Sequence, residues 1–90
     1  MKYTITDYSY HKAKLYNVEI KPSTNKNKKI DVFKDGHKIA SIGSIFYRDF
    51  PTYLIEKGLE YAMERRRLYR IRHKKDLNSN NGIWASRILW

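Results

Sequence analysis

A basic run at residues 65–75 has the clearest chemical meaning in the sequence. Seven of its eleven positions are arginine or lysine, and none is acidic. Arginine dominates, and its planar guanidinium group binds phosphate or carboxylate through two parallel hydrogen bonds. The run predicts a surface for a polyanion or a protein partner; the alternative is a solvated helix end whose cations offset the helix dipole. The candidate binding residues are Arg65, Arg66, Arg67, Arg70, Arg72, Lys74 and Lys75.

A helix through this run would divide its cations between two sides, because successive helical residues are rotated by about 100°. Arg65 and Arg72 would flank the apolar stripe of the helix and lie partly over it. The outer side would carry Arg66, Arg67, Arg70 and Lys74. We expect a bound polyanion to contact mainly this outer side.

The other polar residues predict neither catalysis nor metal binding. His11, His37 and His73 lie in three different predicted elements without a shared ligand spacing, and the chain has no cysteine. Neither a nucleophile motif such as GxSxG nor a glycine-rich phosphate loop occurs. We therefore predict a non-enzymatic binding protein with no catalytic residue, no metal and no cofactor.

Glutamates at four-residue spacing could imitate a row of acid and base catalysts. They are Glu56, Glu60 and Glu64. On a helix they are better explained as a solvated face, on which Glu60 pairs with Lys57 and Glu64 pairs with Arg67. This pairing keeps the row outside the predicted site.

The composition limits the classes of protein to which the chain can belong. Its 90 residues predict one domain, and 19 Lys plus Arg against 9 Asp plus Glu leave a net charge of +10. Such a surplus favours polyanions or acidic protein surfaces as partners. No stretch approaches the roughly 18 apolar residues of a membrane-spanning helix, and the start lacks the apolar run of a signal peptide. We expect a protein that is neither secreted nor membrane-spanning.

Alternation and turn residues place the strands in the first half of the chain. Residues 2–6 and 15–21 alternate polar and apolar side chains, as half-buried strands do. Residues 29–34 and 37–42 flank Asp35-Gly36, a pair typical of the type I′ turn that closes a β-hairpin. These segments predict a three-stranded antiparallel meander with residues 2–6 as a candidate fourth strand.

A single long helix is predicted for residues 49–75. It begins at Asp49-Phe50-Pro51, where an acidic residue can cap the helix and proline fits the first turn. Gly58 lies on its apolar stripe and is explained either by a close approach to the sheet or by a kink. The stripe comprises Leu54, Ile55, Leu59, Ala62 and Tyr69, with Tyr61 and Leu68 alongside.

Together these elements predict an α+β fold in which the small antiparallel sheet packs against the long helix. Residues 1–46 would be mainly β, residues 49–75 would form the basic helix, and residues 76–90 a loop and an apolar tail. The tail holds two Trp, two Ile and one Leu, which are costly to leave in water. It either folds back on its own chain or inserts into a neighbouring subunit through Trp84, Leu89 and Trp90 as interface anchors.

Residues 24–90 resemble a family of small basic proteins encoded by large double-stranded DNA viruses of algae and protists, with relatives in some phages. The first 21 residues lie outside this resemblance. Its most specific elements are YRDF at 47–50, EYA at 60–62, RRRLY at 65–69, RH at 72–73 and ILW at 88–90.

The resemblance implies a viral origin and a role as a minor capsid or capsid-associated component of the virion. The expected partners are other virion proteins, and the expected location is the virion or the host cytoplasm. The resemblance implies no catalytic residue. The alternative function, which follows from the basic run alone, is binding of the DNA or RNA backbone without sequence specificity.

Overall fold

A computed structural model describes residues 3–90 and has an α+β fold. A three-stranded antiparallel sheet in the order β1-β2-β3 is combined with four α-helices. None of the helices between Tyr3 and Trp90 combines the length and the apolar character needed to cross a bilayer. The elements are α1 (Asp7–Leu15), β1 (Glu19–Pro22), β2 (Lys28–Lys34), β3 (His37–Ser44), α2 (Phe50–Lys57), α3 (Leu59–Arg72), a 3₁₀ helix (Lys75–Asn78) and α4 (Asn80–Leu89).

The predicted hairpin is confirmed. Asp35 and Gly36 join β2 to β3 with φ values of 51° and 79°, as a type I′ turn requires. The pairing of β2 with β3 is irregular next to this turn: a register shift between Val32 and Phe33 places Val32 opposite Ala40. Such a bulge turns the strand and keeps apolar side chains on one face. That face holds the buried Ile30, Val32, Ala40 and Ile42.

Residues 7–15 form helix α1, so the prediction that residues 1–46 are mainly β is wrong for this segment. Residues 3–6 form no strand, while Lys2 of the predicted fourth strand lies outside the described residues. Thr6 caps α1 by accepting a hydrogen bond from the Ser9 backbone nitrogen at 3.3 Å. The strand predicted at residues 15–21 begins only at Glu19.

The predicted long helix is interrupted. Asp49 caps α2 as predicted and accepts a hydrogen bond from the Thr52 backbone nitrogen at 3.0 Å. The helix ends at Gly58, whose φ of 91° is incompatible with helix continuation, and α3 starts at the next residue. A Cβ atom at Gly58 would meet nothing within 4 Å, so its explanation as a close approach to the sheet is wrong.

The interruption also divides the predicted apolar stripe. Ala62 and Tyr69 are buried as expected, but Ile55 and Leu59 are 76% and 58% exposed. The 100° rotation per residue holds only within a continuous helix, so residues on either side of Gly58 no longer share one face.

The apolar tail forms α4, which packs on β3 and α1. Ser79 caps it by accepting a hydrogen bond from the Gly82 backbone nitrogen at 3.0 Å. The helix that packs on β3 is therefore α4, and not the single long helix that was predicted. Trp84, Leu89 and Trp90 are all buried in the core of the isolated chain. The intramolecular alternative therefore describes this fold, and these three residues are not exposed anchors.

Candidate polyanion-binding surface

Arg66 is held against the first two helices. Its guanidinium carbon lies 3.7 Å from the centre of the Phe50 ring. A terminal nitrogen donates to the hydroxyl oxygen of Tyr8 at 3.5 Å. Its Nε is buried without a hydrogen-bond partner in the described part of the chain. Stacking on an aromatic face is attractive for a guanidinium group and fixes the plane of its donors. Arg66 is therefore oriented in the absence of a ligand.

Lys12 of α1 brings a third cation close to Arg66 and Arg70. Burial lowers the pKa of Lys12, and the positive charges of Arg66 and Arg70 lower it further. The Lys12 ammonium nitrogen lies 5.8 Å from the ring centres of both Tyr8 and Tyr16. No carboxylate between the third residue and the C-terminus forms an ion pair with any of these cations. We call Lys12, Arg66 and Arg70 the α1/α3 cationic cluster. A bound anion would reduce the electrostatic repulsion among these three positive charges.

Arg87 of α4 extends this surface. Its guanidinium carbon lies 4.9 Å from the ring centres of both Tyr16 and Trp84. Because Tyr16 also faces Lys12, Arg87 belongs to the same side of the molecule. The basic run in the sequence does not include Lys12 or Arg87. Each is a single cation far along the chain from the run, and only the packing of α1 and α4 brings them to it.

Arg65 and Arg72 lie on another side of α3 and line a cavity of about 690 Å³ between β3, α3 and α4. The sequence analysis expects these two residues to flank the apolar stripe, and Tyr69 of that stripe also lines the cavity. The Arg65 guanidinium carbon lies 5.3 Å from the Tyr53 ring centre. Its Nε is buried and has no hydrogen-bond partner among the described residues.

The other three candidates face solvent. Arg67 forms the predicted pair with Glu64, with nitrogen to oxygen distances of 3.0 and 2.5 Å. This neighbour compensates its charge. Lys74 and Lys75 are exposed and follow α3 at its C-terminal end. The predicted pair of Glu60 with Lys57 is not among the ion pairs of residues 3–90.

His73 is part of a stack of rings. Its ring centre lies 4.3 Å from that of Tyr69, which stacks on Trp90 at 4.2 Å. Nδ1 of His73 lies 2.7 Å from a carboxylate oxygen of Asp76. Burial raises the pKa of Tyr69, and the charge of Asp76 raises it further. Within the described residues, no three histidine or acidic side chains are grouped as metal ligands would be.

An apolar groove of about 910 Å³ lies between the N-terminal segment and α2, and Tyr8 lines it. Phe46 and Ile55 line it, and both are more than 70% exposed. Exposed apolar side chains of this size are typical of surfaces that contact other molecules.

No protein-family model matches the sequence, and no curated protein or solved structure matches it either. The candidate surface is therefore defined by its geometry, and the resemblance to viral proteins stays a prediction.

Proposed function

We propose that this protein binds the phosphate backbone of nucleic acid through the α1/α3 cationic cluster. One observation carries the proposal: Lys12 and Arg66 both contact Tyr8, and they form with Arg70 a group of like charges that has no ion-paired carboxylate among the described residues. Phosphates of a nucleic acid would neutralise them and release condensed counterions, which is the main source of non-specific affinity.

The arrangement favours backbone contacts over base reading. Arg66 is stacked on Phe50 and presents a fixed guanidinium, which suits a phosphate oxygen pair. The cations come from two different helices, α1 and α3, so no single helix presents all of them to a groove as a recognition helix does. We therefore expect affinity with little dependence on sequence.

The test is the salt dependence of duplex binding. A double variant, Lys12→Gln with Arg70→Gln, removes two charges from the cluster without touching the stacked Arg66. The control, Lys26→Gln with Lys34→Gln, removes two exposed charges from a loop and a strand end. The plot of log affinity against log salt should become shallower by about 1.8 units in the cluster variant, or roughly 0.9 per lost phosphate contact.

The control variant should retain the wild-type slope. Equal losses of slope in the two variants would show that net charge, and not this cluster, drives binding. Absence of duplex binding at low salt would contradict the proposal altogether.

A second candidate function is that of a structural component of a virus particle, as the resemblance implies. The exposed Phe46, Tyr47 and Ile55 favour it, because such side chains commonly contact other proteins. Mass spectrometry of purified particles with and without their genome tests it. Retention in empty shells would support this function, whereas loss together with the genome would favour nucleic-acid binding.

A further inference from the structure

The cavity between β3, α3 and α4 is separate from the α1/α3 cationic cluster. Its volume of about 690 Å³ lies within the range of small-molecule sites, roughly 300 to 1,000 Å³. Arg65 and Arg72 reach it from one side of α3, whereas Arg66 and Arg70 lie on a different side of that helix. A ligand here would therefore not depend on the cluster.

The charges around the cavity do not cancel. Two carboxylates line it, but Asp49 is engaged by the Lys29 ammonium at 2.9 Å, and Asp76 lies 2.7 Å from His73. Three lining cations have no ion-pair partner in the part of the chain that the structure describes. They are Lys28, Arg65 and Arg72.

Arg65 also has an unmet hydrogen-bonding need. The side-chain hydrogen bonds made by arginines in residues 3–90 involve Arg48, Arg66 and Arg67, but not Arg65. The Nε of Arg65 is buried without an acceptor, so the terminal nitrogens are the donors left for a ligand. Because Arg65 lines the cavity, an anionic oxygen bound there would supply an acceptor for them.

One wall of the cavity offers a free aromatic ring. Tyr47 is 75% exposed and lines the cavity. It has no ring partner among the aromatic pairs of residues 3–90. An aromatic face of this kind stacks on a nucleobase of any type.

From these four observations we infer that the cavity binds a nucleoside monophosphate unit. Its phosphate lies among Lys28, Arg65 and Arg72, and its base lies on Tyr47. The ligand is either a free nucleotide or one unstacked nucleotide of a single strand, because both present the same phosphate and base.

Titration with adenosine 5′-monophosphate tests the inference. Trp90 lines the cavity, so its fluorescence reports occupancy, and nuclear magnetic resonance shifts of Tyr47 provide a second readout. Binding should saturate and be tighter than that of adenosine or inorganic phosphate. Arg72→Gln should weaken it about tenfold or more, since a charged hydrogen bond contributes roughly 1.5 to 3 kcal/mol. Tyr47→Ala should reduce the preference for the nucleotide over phosphate.

Arg67→Gln is the matched control, because it removes an exposed arginine of the same helix outside the cavity. The double variant Lys12→Gln with Arg70→Gln should also bind the nucleotide normally, even if it loses duplex binding. Competition by a single-stranded tetranucleotide would identify a strand as the source of the unit, and lack of competition would identify the free nucleotide. Absence of saturation in the millimolar range, or equal effects of Arg72→Gln and Arg67→Gln, would overturn the inference.

Discussion

The carboxylate of Asp49 accepts hydrogen bonds from three segments of the chain. The Thr52 backbone nitrogen donates at 3.0 Å, the Tyr3 hydroxyl at 2.7 Å and the Lys29 ammonium at 2.9 Å. Burial and the charge of Asp49 raise the pKa of Tyr3, so its hydroxyl stays protonated and remains a donor. The sequence predicts only the first of these bonds, because helix capping is local. The other two join residues 46 and 20 positions apart.

Asp31 is a second buried carboxylate, on the opposite face of the sheet from the apolar side chains of β2. Burial by itself would raise its pKa. Hydrogen bonds from the hydroxyls of Ser23 and Ser41 and from the Thr24 backbone nitrogen, together with the charge of Lys38, outweigh burial and lower the pKa to about 2. The ionised form of Asp31 is therefore stabilised in the folded protein.

We predict a specific loss of stability in acid. An unfolded aspartate titrates near 3.8, so the contribution of Asp31 is complete above about pH 4 and is lost as the pH falls toward about 2. A shift of this size corresponds to roughly 2 kcal/mol. Urea unfolding at several pH values should show this decline in the wild type and a weaker one in Asp31→Asn. Asp35→Asn, in the exposed turn, is the control; if its profile matches that of Asp31→Asn, Asp31 is not the group responsible.

The elements that could be predicted from sequence are those whose signals are local. The hairpin depends on Asp35-Gly36, and the start of α2 on Asp49, and both are confirmed. Helix α1 shows no clear apolar period because its buried residues are small: Ser9 and Ala13. The Ser9 hydroxyl donates to the Ile88 carbonyl at 2.9 Å. This tertiary contact cannot be predicted from a local sequence pattern.

The role of a glycine is also hard to predict when it depends on tertiary packing. A close approach to the sheet is one of the two sequence-based explanations of Gly58, yet the glycine that makes such an approach is Gly43, within β3. A Cβ atom there would lie 2.6 Å from a methyl carbon of Leu89, so the close approach joins β3 to α4. The packing of α4 on β3 therefore determines which glycine must lack a side chain, and the local sequence does not show this packing.

The hairpin turn supports a direct prediction at the scale of one element. Gly36 has a φ of 79° with nothing within 4 Å of a Cβ atom, so Gly36→Val tests backbone conformation alone. A side chain in the left-handed region costs roughly 1 to 2 kcal/mol, and β-branching makes it worse. The midpoint of thermal unfolding should fall by several degrees. Gly36→Asn should have a much smaller effect, because asparagine tolerates positive φ; equal midpoints for all three proteins would exclude the type I′ turn.

Across the whole molecule, packing sorts the cations into paired and unpaired sets. Salt bridges occupy Lys29, Lys38, Arg48 and Arg67. The sequence predicts that the cations of the basic run lie on two sides of one helix, and the structure distributes them among the α1/α3 cationic cluster, the cavity and solvent. The helical position of residues 65–72 was predictable from composition and spacing, but α3 ends at Arg72, and Lys74 and Lys75 lie beyond it. The neighbours that give each part its chemistry come from α1, β3 and α4, and depend on tertiary packing.

The last prediction concerns α4, because its burial determines whether the apolar tail belongs to the core of its own chain or contacts a neighbouring subunit. Leu89 is 1% exposed and contacts the backbone of β3 at Gly43. Leu89→Ala should therefore lower the free energy of unfolding by about 2 to 5 kcal/mol, the usual cost of a cavity at a buried leucine. Leu15→Ala is the control, since Leu15 is 66% exposed and its truncation should cost well under 1 kcal/mol. Urea denaturation measures both. If the two variants have equal, small effects, the tail does not belong to the core of its own chain, and insertion of Trp84, Leu89 and Trp90 into a neighbouring subunit becomes the better account.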